Sequence, residues 1–393
     1  MASGFSFVLN GRPVTVEGVS TNQSLLSWLR ANGHTGSKEG CAEGDCGACT
    51  VALVERDAAG HTTYRAINSC ITLVPMVAGR EVVTVEGLAE APSSDDGLGK
   101  LHPVQDAMVQ AYGSQCGYCT RGFIFSMFDA YYRSDLGETE AEQKRKIGDQ
   151  LNGNLCRCTG YRPIREAMMD ALARKKTSKG ADLFQLRLQK GPSPVGALSY
   201  SHGEQVFHRP TSLAELLALR SELPKAELVC GATEIGVYIN KKGSSYSTLV
   251  STEAVPELLE IKKSEDAWII GGAASLTSIE EALAGEYPMI DKMLWVFASR
   301  QIRSRASIAG NIVTASPIGD TPPLLLALDA DVQIESVRGK RTVPIAEFFT
   351  GYRKTVLLPD EVVVSVRIPR GRGNAHVRLS NSYKVSKRRE LDI

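Results

Sequence analysis

The amino-acid sequence predicts a multidomain α+β protein that consists of a β-rich unit, a helical unit and an α/β unit. Three observations support this prediction. The chain has 393 residues, which is enough for roughly two to four domains of ordinary size. The spacing of apolar residues changes from alternation to helical periodicity once the first unit ends. Eight of the nine cysteines lie before residue 159, so the two parts of the chain differ in chemistry.

The first unit, residues 1–90, contains several short runs in which apolar and polar residues alternate. An Asn10-Gly11 pair between two such runs is a typical hairpin turn. One short amphipathic helix is expected over residues 24–30, followed by a loop rich in glycine and cysteine. Strands are expected over residues 5–9, 14–16, 50–54 and 81–85. Strands around a single helix predict a ferredoxin-like β-grasp domain.

The second unit, residues 91–175, has helical periodicity. Four helices are expected, over residues 104–112, 123–132, 138–151 and 164–173. Residues 176–200 are rich in Lys, Ser, Gly and Pro and are predicted to be a linker. Residues 201–375 have an α/β pattern, with a helix over 212–219 and strands over 227–230, 268–272, 332–336 and 362–368. Residues 376–393 then begin a further segment.

Composition and charge exclude several classes of function. The 45 Lys and Arg residues nearly balance 44 Asp and Glu residues, and a net charge of +1 does not favour binding to nucleic acid or to an anionic membrane. No apolar run approaches the ~20 residues that span a bilayer, and the first residues lack the features of a secretory signal. We therefore expect a cytoplasmic protein, in which clustered cysteines indicate metal ligation and not disulfides.

The first group of cysteines has the spacing of a plant-type [2Fe–2S] site. Its members are Cys41, Cys46, Cys49 and Cys70. The glycines at 40, 44 and 47 allow a tight loop whose backbone N–H groups can donate to the sulfurs. A structural zinc site and free thiols are the alternatives, but zinc sites favour two C-x2-C pairs and this loop has one.

The second group of cysteines is less specific by spacing. Its members are Cys116, Cys119, Cys156 and Cys158. Each pair precedes a predicted helix, whose unpaired N–H groups and positive dipole end favour an anionic thiolate cluster. The spacing alone also fits zinc, and Cys116 and Cys119 alone also fit a redox dithiol. A dithiol would not need the second pair, and the missing Cys-x-His element argues against a Rieske centre.

The third unit contains a strand that runs into a glycine-containing turn over residues 228–236. Backbone N–H groups in such a turn can approach a phosphate. The turn is neither a P-loop nor a G-x-G-x-x-G fingerprint, and an ordinary strand-to-helix turn has the same pattern. Residues 307–320, rich in small and amide side chains, also allow a ligand to approach closely.

The cysteine segments resemble the two cluster motifs of molybdenum hydroxylases. Residues 36–51 are similar to the first motif, and residues 115–123 and 153–164 are similar to the second. One departure is Arg121, where the family usually has proline; all the ligand positions are kept. The resemblance implies that both quartets hold [2Fe–2S] clusters.

Residues 228–235 and 307–320 resemble the FAD-binding domain of the same family, which is of the vanillyl-alcohol-oxidase (PCMH) type. The resemblance implies that 228–235 wrap the FAD pyrophosphate, through Leu228, Val229, Cys230, Gly231, Ala232, Thr233, Glu234 and Ile235. Other flavin-contacting positions would be Phe297, Ser307, Asn311, Asp320, Val363 and Lys384. Ala232 stands where asparagine is common, and we interpret Cys230 as a small packing residue. Residues 376–393 match the start of a C-terminal flavoprotein subdomain of roughly a hundred residues in the family, so we expect that subdomain to be incomplete here.

This domain order resembles the small subunit of two-chain bacterial xanthine dehydrogenases. The resemblance implies that electrons pass from a molybdopterin centre on a large partner subunit through two [2Fe–2S] clusters to FAD and then to NAD⁺, during oxidation of hypoxanthine and xanthine to urate. The partnership would be a heterodimer or a dimer of heterodimers, with no catalytic residue on this chain. The alternatives are a relative that oxidises an aldehyde or an N-heterocycle with another acceptor, a zinc-stapled scaffold, and an iron–sulfur sensor. A sensor would need a DNA-binding element, which neither the charge nor a motif supports.

Overall fold

The structure, a computed structural model, describes residues 2–89, 100–177, 180–370 and 381–385. The expected start of a C-terminal subdomain at 376–393 falls outside the described residues, apart from 381–385. No helix in these described ranges combines the length and the apolar character needed to cross a membrane.

The first domain is a five-stranded mixed sheet with one helix. Its elements are β1 (Gly4–Leu9), β2 (Arg12–Glu17), α1 (Leu25–Ala31), β3 (Thr50–Arg56), β4 (Thr62–Asn68) and β5 (Glu81–Val83). The strand order is β2-β1-β5-β3-β4, with β1 and β5 parallel. The helix α1 begins after Ser24, whose side chain accepts a hydrogen bond from the amide of Ser27, and its apolar face packs on the sheet. This arrangement confirms the predicted β-grasp, and it adds β4, which the sequence analysis did not predict.

The second domain is helical. Its elements are α2 (Pro103–Gln110), α3 (Thr120–Tyr132), α4 (Glu140–Leu151), α5 (Arg162–Thr177) and α6 (Leu183–Gln189). The first four agree with the four predicted helices, and α3 forms although Arg121 replaces the usual proline. Helix α3 is buried over most of its length and packs against β3 and β4 of the first domain.

Helix α6 lies in the segment that composition predicts to be a linker. Phe184 is buried in a group of rings that includes Tyr64, Phe128 and Tyr132. The start of this connection is therefore packed onto both cluster domains. Besides the Phe184 ring, Leu188 packs on the same core, and the hydroxyls of Tyr64 and Tyr132 donate to the Phe184 carbonyl and to Asp182.

The third domain contains two main sheets. Its strands are β6 (Leu198–His202), β7 (Gln205–Arg209), β8 (Glu227–Val229), β9 (Thr248–Ser251), β10 (Ile261–Lys263), β11 (Ala267–Gly271), β12 (Asp331–Ser336), β13 (Gly339–Pro344), β14 (Phe349–Gly351), β15 (Lys354–Thr355) and β16 (Val362–Pro369). Its helices are α7 (Leu213–Glu222), α8 (Ile235–Lys242), α9 (Pro256–Leu259), α10 (Leu276–Ala282), α11 (Pro288–Trp295), α12 (Arg300–Arg303), α13 (Ile308–Val313), α14 (Thr321–Ala327) and α15 (Ile345–Phe348). The sheets have the orders β6-β7-β9-β8 and β10-β11-β16-β12-β13, and β14 pairs with β15. This is the expected α/β unit.

Candidate iron–sulfur and flavin sites

The four cysteines of the first quartet lie together at one end of the β-grasp sheet. Three of them belong to the loop that enters β3, and Cys70 follows β4. The Cys41 thiol contacts those of Cys46 and Cys70, and the Cys49 thiol contacts that of Cys70. These thiol–thiol contacts lower the pKa of Cys41 and Cys49 and raise the pKa of Cys46 and Cys70. The four sulfurs therefore lie close enough to one another to ligate a single cluster.

Three backbone N–H groups point at the Cys41 sulfur of this quartet. The amides of Glu43, Asp45 and Cys46 donate to Cys41 Sγ over 3.4, 3.2 and 3.3 Å. A methyl group at Gly40 would lie 2.7 Å from Cys46 Sγ, so only glycine fits there. Several donors aimed at one sulfur stabilise negative charge on it, which suits the expected [2Fe–2S] cluster.

Two asparagines also contact the first quartet, and the sequence analysis did not single them out. Asn68 Nδ2 lies 3.8 Å from Cys49 Sγ. Asn240 of α8 donates to the carbonyl oxygens of Ala42 and Cys70 over 2.9 and 2.8 Å. Asn68 could have been predicted only from its position two residues before Cys70. Nothing in the sequence indicates that Asn240 lies near the cysteines.

The second quartet is brought together by the starts of two helices. Cys119 is the residue before α3, and Cys156 and Cys158 precede α5. The Cys116 thiol contacts Cys158, and the Cys119 thiol contacts Cys156. Burial and the contact with Cys156 raise the pKa of Cys119 to about 12. The thiols thus meet as two pairs, which suits two iron atoms with two thiolates each.

The two quartets differ in exposure. Cys49 and Cys70 are buried, whereas Cys116 and Cys158 are exposed. Across the described ranges, no three His, Cys, Asp or Glu side chains form a group suited to a single metal ion. The loops of the two quartets touch, because the Leu155 amide donates to the Cys46 carbonyl over 3.0 Å.

The turn predicted to hold the pyrophosphate joins β8 to α8. Ala232 is buried and has a positive φ of 57°. A methyl group at Gly231 would lie 1.8 Å from the Arg305 carbonyl oxygen, so the turn presses against another loop. Within the described residues, the amides of Gly231, Ala232 and Thr233 donate no hydrogen bond. Free amides at the positive end of α8 suit a diphosphate.

Residues 228–230 contribute mainly backbone to this turn. Val229 is buried, and Cys230 Sγ lies 3.6 Å from the Ala273 carbonyl. Burial raises the pKa of Cys230. These features agree with the interpretation of Cys230 as a packing residue. Glu234 and Ile235 are half-buried where α8 begins.

The remaining predicted flavin residues form two groups. Ser307 accepts from the Gly310 amide at the start of α13, and Asn311 Oδ1 accepts from Thr321 Oγ1 over 2.5 Å. This helix packs on β16, which carries the buried Val363. The second group contains an ion pair between Asp320 and Lys384, with 2.9 Å between carboxylate and ammonium.

Lys384 Nζ also donates to the Val296 carbonyl, next to the buried Phe297. Lys384 and Val296 line a cavity of about 730 Å³ together with Trp295 and Tyr383. The structure therefore leaves open space beside the side chains expected to contact the flavin.

Three family models match the chain. Residues 7–75 match a 2Fe-2S iron-sulfur cluster binding domain, residues 84–169 a [2Fe-2S] binding domain, and residues 200–371 an FAD binding domain in molybdopterin dehydrogenase. A xanthine dehydrogenase of Drosophila pseudoobscura pseudoobscura is 35% identical over 445 residues, which cover 98% of this chain and 32% of the relative. The chain belongs to the molybdenum hydroxylase family.

Other relatives have similar coverage. The xanthine dehydrogenase/oxidase of Gallus gallus is 32% identical across 98% of this chain and 33% of its own length. This molybdenum hydroxylase chain thus spans about a third of the curated relatives it matches. Among solved structures, the carbon monoxide dehydrogenase of Hydrogenophaga pseudoflava is 28% identical, with a TM-score of 0.41, over 42% of this chain and 59% of that one.

Proposed function

We propose that this chain is the electron-transfer part of a xanthine dehydrogenase, with a [2Fe–2S] cluster in each cysteine quartet and FAD in the third domain. When bound, the clusters supply one-electron transfer and the flavin supplies two-electron transfer. Electrons would pass from a molybdopterin centre on a partner polypeptide to NAD⁺. The observation that carries the proposal is the spatial order of the three sites.

The second quartet lies outermost in this order. Its Cys116 and Cys158 are exposed, and Tyr118 and Tyr161 beside them are 49% and 38% exposed. Exposed aromatic side chains around a redox site are typical of a surface that a protein partner covers. This face would therefore receive electrons from the molybdopterin-bearing partner.

The first quartet lies between the second quartet and the flavin domain. Its loop touches the second quartet through the Leu155–Cys46 hydrogen bond and touches α8 through Asn240. A methyl group at Gly236, in the first turn of α8, would lie 2.4 Å from the Ile71 carbonyl, next to Cys70. These contacts on both sides support a middle position for the first quartet in the proposed order.

Within this chain the residues bind and orient the three groups. The eight cysteines would be the iron ligands, and the free amides of the 231–233 turn would hold the FAD diphosphate. Lys384 would line the cavity and is itself held by its ion pair with Asp320. Hypoxanthine and xanthine as substrates, NAD⁺ as acceptor and a cytoplasmic location are the finer parts of the proposal. The similarity to xanthine dehydrogenases supports the substrates.

The first experiment measures iron, acid-labile sulfide and flavin in the purified chain, with electron paramagnetic resonance (EPR) after dithionite reduction. We expect about four iron, four sulfide and one FAD per chain, with two distinct reduced signals, from two all-cysteine [2Fe–2S] sites. Zinc without iron would contradict the proposal. Four iron without flavin would contradict its FAD part alone.

A Cys156→Ser variant tests the sequence of transfer in complex with the molybdopterin-bearing partner. We expect it to lose the second-quartet signal, keep the first-quartet signal and stop the transfer of electrons to FAD. Cys230→Ser is the matched control for the EPR signals alone, because Cys230 belongs to neither quartet, and it should keep both signals. Unchanged NAD⁺ reduction in Cys156→Ser would refute the proposed order.

A further inference from the structure

A buried polar group lies between the loops of the two quartets, and all three domains contribute to it. Asn154 Nδ2 donates to the Gly47 carbonyl over 3.1 Å, next to the quartet residue Cys46. Asn154 Oδ1 accepts from Ser126 Oγ over 2.5 Å and from Gln301 Nε2 over 2.9 Å. Ser126 and Gln301 are fully buried, and Asn154 is nearly so. We call these four residues, Gly47, Ser126, Asn154 and Gln301, the loop junction.

The backbones at the loop junction have no free space between them. A methyl group at Gly47 would lie 2.2 Å from the Gly153 carbonyl oxygen, and one at Gly122 would lie 2.1 Å from the Gly47 carbonyl oxygen. Both distances are far below van der Waals contact with backbone atoms. The two loops are therefore in direct backbone contact, and the Asn154 side chain bridges them through the Gly47 carbonyl.

Gln301 is the residue that the third domain contributes to the loop junction. It lies in α12, whose preceding residue Ser299 caps the helix. A methyl group at Gly153 would lie 2.2 Å from Gln301 Oε1 and 2.4 Å from Ser299 Cβ. The side chain is thus pressed against the residue before Asn154, while its Nε2 donates to both Ser126 Oγ and Asn154 Oδ1.

Gln301 and the Gly47 carbonyl together fix which way the Asn154 amide faces. An asparagine amide can rotate by half a turn and exchange its donor and acceptor. In the observed orientation Oδ1 accepts from Gln301, so Nδ2 must face the Gly47 carbonyl. The Gly47 carbonyl can only accept, so it favours the same orientation. Without the Gln301 donor, Oδ1 keeps only the hydrogen bond from Ser126, whose hydroxyl can also accept.

We propose that Gln301 is a positioning residue that sets the spacing between the two iron–sulfur sites by orienting Asn154 on the Gly47 carbonyl. This inference rests on the proposed function, because the sites whose spacing matters are the two proposed clusters. Electron tunnelling weakens steeply with distance, so a residue that holds two cluster loops together controls the transfer rate without touching either cluster.

The test uses two variants in the full chain. Gln301→Glu keeps the shape and removes the donor, and Gln301→Met keeps the approximate volume and removes all polarity. Gln333→Glu is the matched control, since Gln333 lies in β12 of the same domain and accepts from Ser365 across the sheet. Iron content and the two EPR signals are measured first in each protein.

Two readouts then report on spacing. One is the magnetic interaction between the two reduced clusters at low temperature, and the other is the rate at which electrons redistribute between the clusters after rapid photoreduction. In both Gln301 variants we expect full iron content, a weakened interaction and redistribution that is slowed several-fold. Gln333→Glu should match the unaltered chain.

The outcomes separate this inference from the proposed function. Unchanged interaction and rate in both Gln301 variants, with clusters intact, would overturn the inference alone. Loss of the clusters from both variants, with the control loaded, would show that Gln301 serves assembly and not spacing, and would also overturn it. Absence of two clusters from the unaltered chain would instead remove the proposed function.

Discussion

Replacing Arg303 by methionine should destabilise the contact between the helical and flavin domains. Arg303 is fully buried, and its Nη2 donates to both oxygens of Asp149 over 2.7 Å. Its Nη1 donates to the carbonyls of Phe297 and Ala298 over 3.0 and 3.1 Å. Methionine would leave the carboxylate of Asp149, itself 4% exposed, without its hydrogen-bonded cation.

The expected cost of Arg303→Met is about 3–5 kcal/mol, the usual penalty for leaving one member of a buried ion pair unpaired. Asp149→Leu should cost a similar amount for the same reason. The double variant should be more stable than the sum of the single effects predicts, by about 1–3 kcal/mol, because neither charge is then left alone. A double-mutant cycle therefore separates the interaction energy between Arg303 and Asp149 from the cost of the lost hydrogen bonds to the Phe297 and Ala298 carbonyls.

Native-state hydrogen exchange is the appropriate assay, because a multidomain chain need not unfold in one step. The free energy of local opening is measured for amides of α4 and α12, the helices that carry the pair. Amides of α7, in the same domain but remote from the pair, serve as the internal reference. A loss below about 1 kcal/mol in α4 and α12, the size of a surface ion pair, would refute the reasoning.

Three further predictions concern the sites and the pH dependence. Gly231→Ala should abolish FAD retention, because the added methyl group would collide with the Arg305 backbone. Gly196→Ala is the control and should retain FAD, because its methyl group would meet nothing within 4 Å. Equal flavin content in the two variants would contradict this prediction. Asn68→Ala removes a hydrogen bond to a sulfur of the first quartet and should shift the potential of that cluster alone to a more negative value in an EPR titration. Asn22→Ala, which breaks a contact remote from the cysteines, should leave both potentials unchanged. Burial lowers the pKa of His102 to about 4 in the folded chain. Between about pH 6.5 and about pH 4 the unfolded chain therefore binds a proton at His102 that the folded chain does not. The free energy of unfolding should fall as the pH drops through this range. His102→Asn should flatten that decline in unfolding midpoints measured at pH 7 and pH 5.

The cysteine sites were the most predictable part of the molecule. Their ligand spacing is local, and glycines and helix starts beside the cysteines restrict the geometry further. The β-grasp and the four helices were also predictable, because their apolar patterns are regular. Strand β4 was missed because its residues, Thr62–Asn68, are buried on both faces and do not alternate.

The contacts between domains could not be predicted. Gln301 and Asn154 are 147 residues apart, and Arg303 and Asp149 are 154 apart. Neither pair has a spacing or pattern that distinguishes it from ordinary surface residues. These polar side chains become buried only because three domains pack together. The secondary-structure propensity of one segment contains no information about how domains pack. The strand-to-helix turn at residues 228–236 was intermediate, since its glycine and its available amides could be predicted, but its contact with the Arg305 loop could not.

The buried ion pairs between domains have a consequence for synthesis of the chain. Arg65 pairs with Glu281 and Arg305 with Glu55, across sequence separations of 216 and 250 residues. A chain leaves the ribosome from its N-terminus, and its domains fold as units in that order. The two N-terminal domains must therefore exist for a time with Glu55, Arg65 and Asp149 hydrated on their surface. During that interval the side of the first-quartet loop that α8 later contacts, at Ala42 and Cys70, is open to solvent.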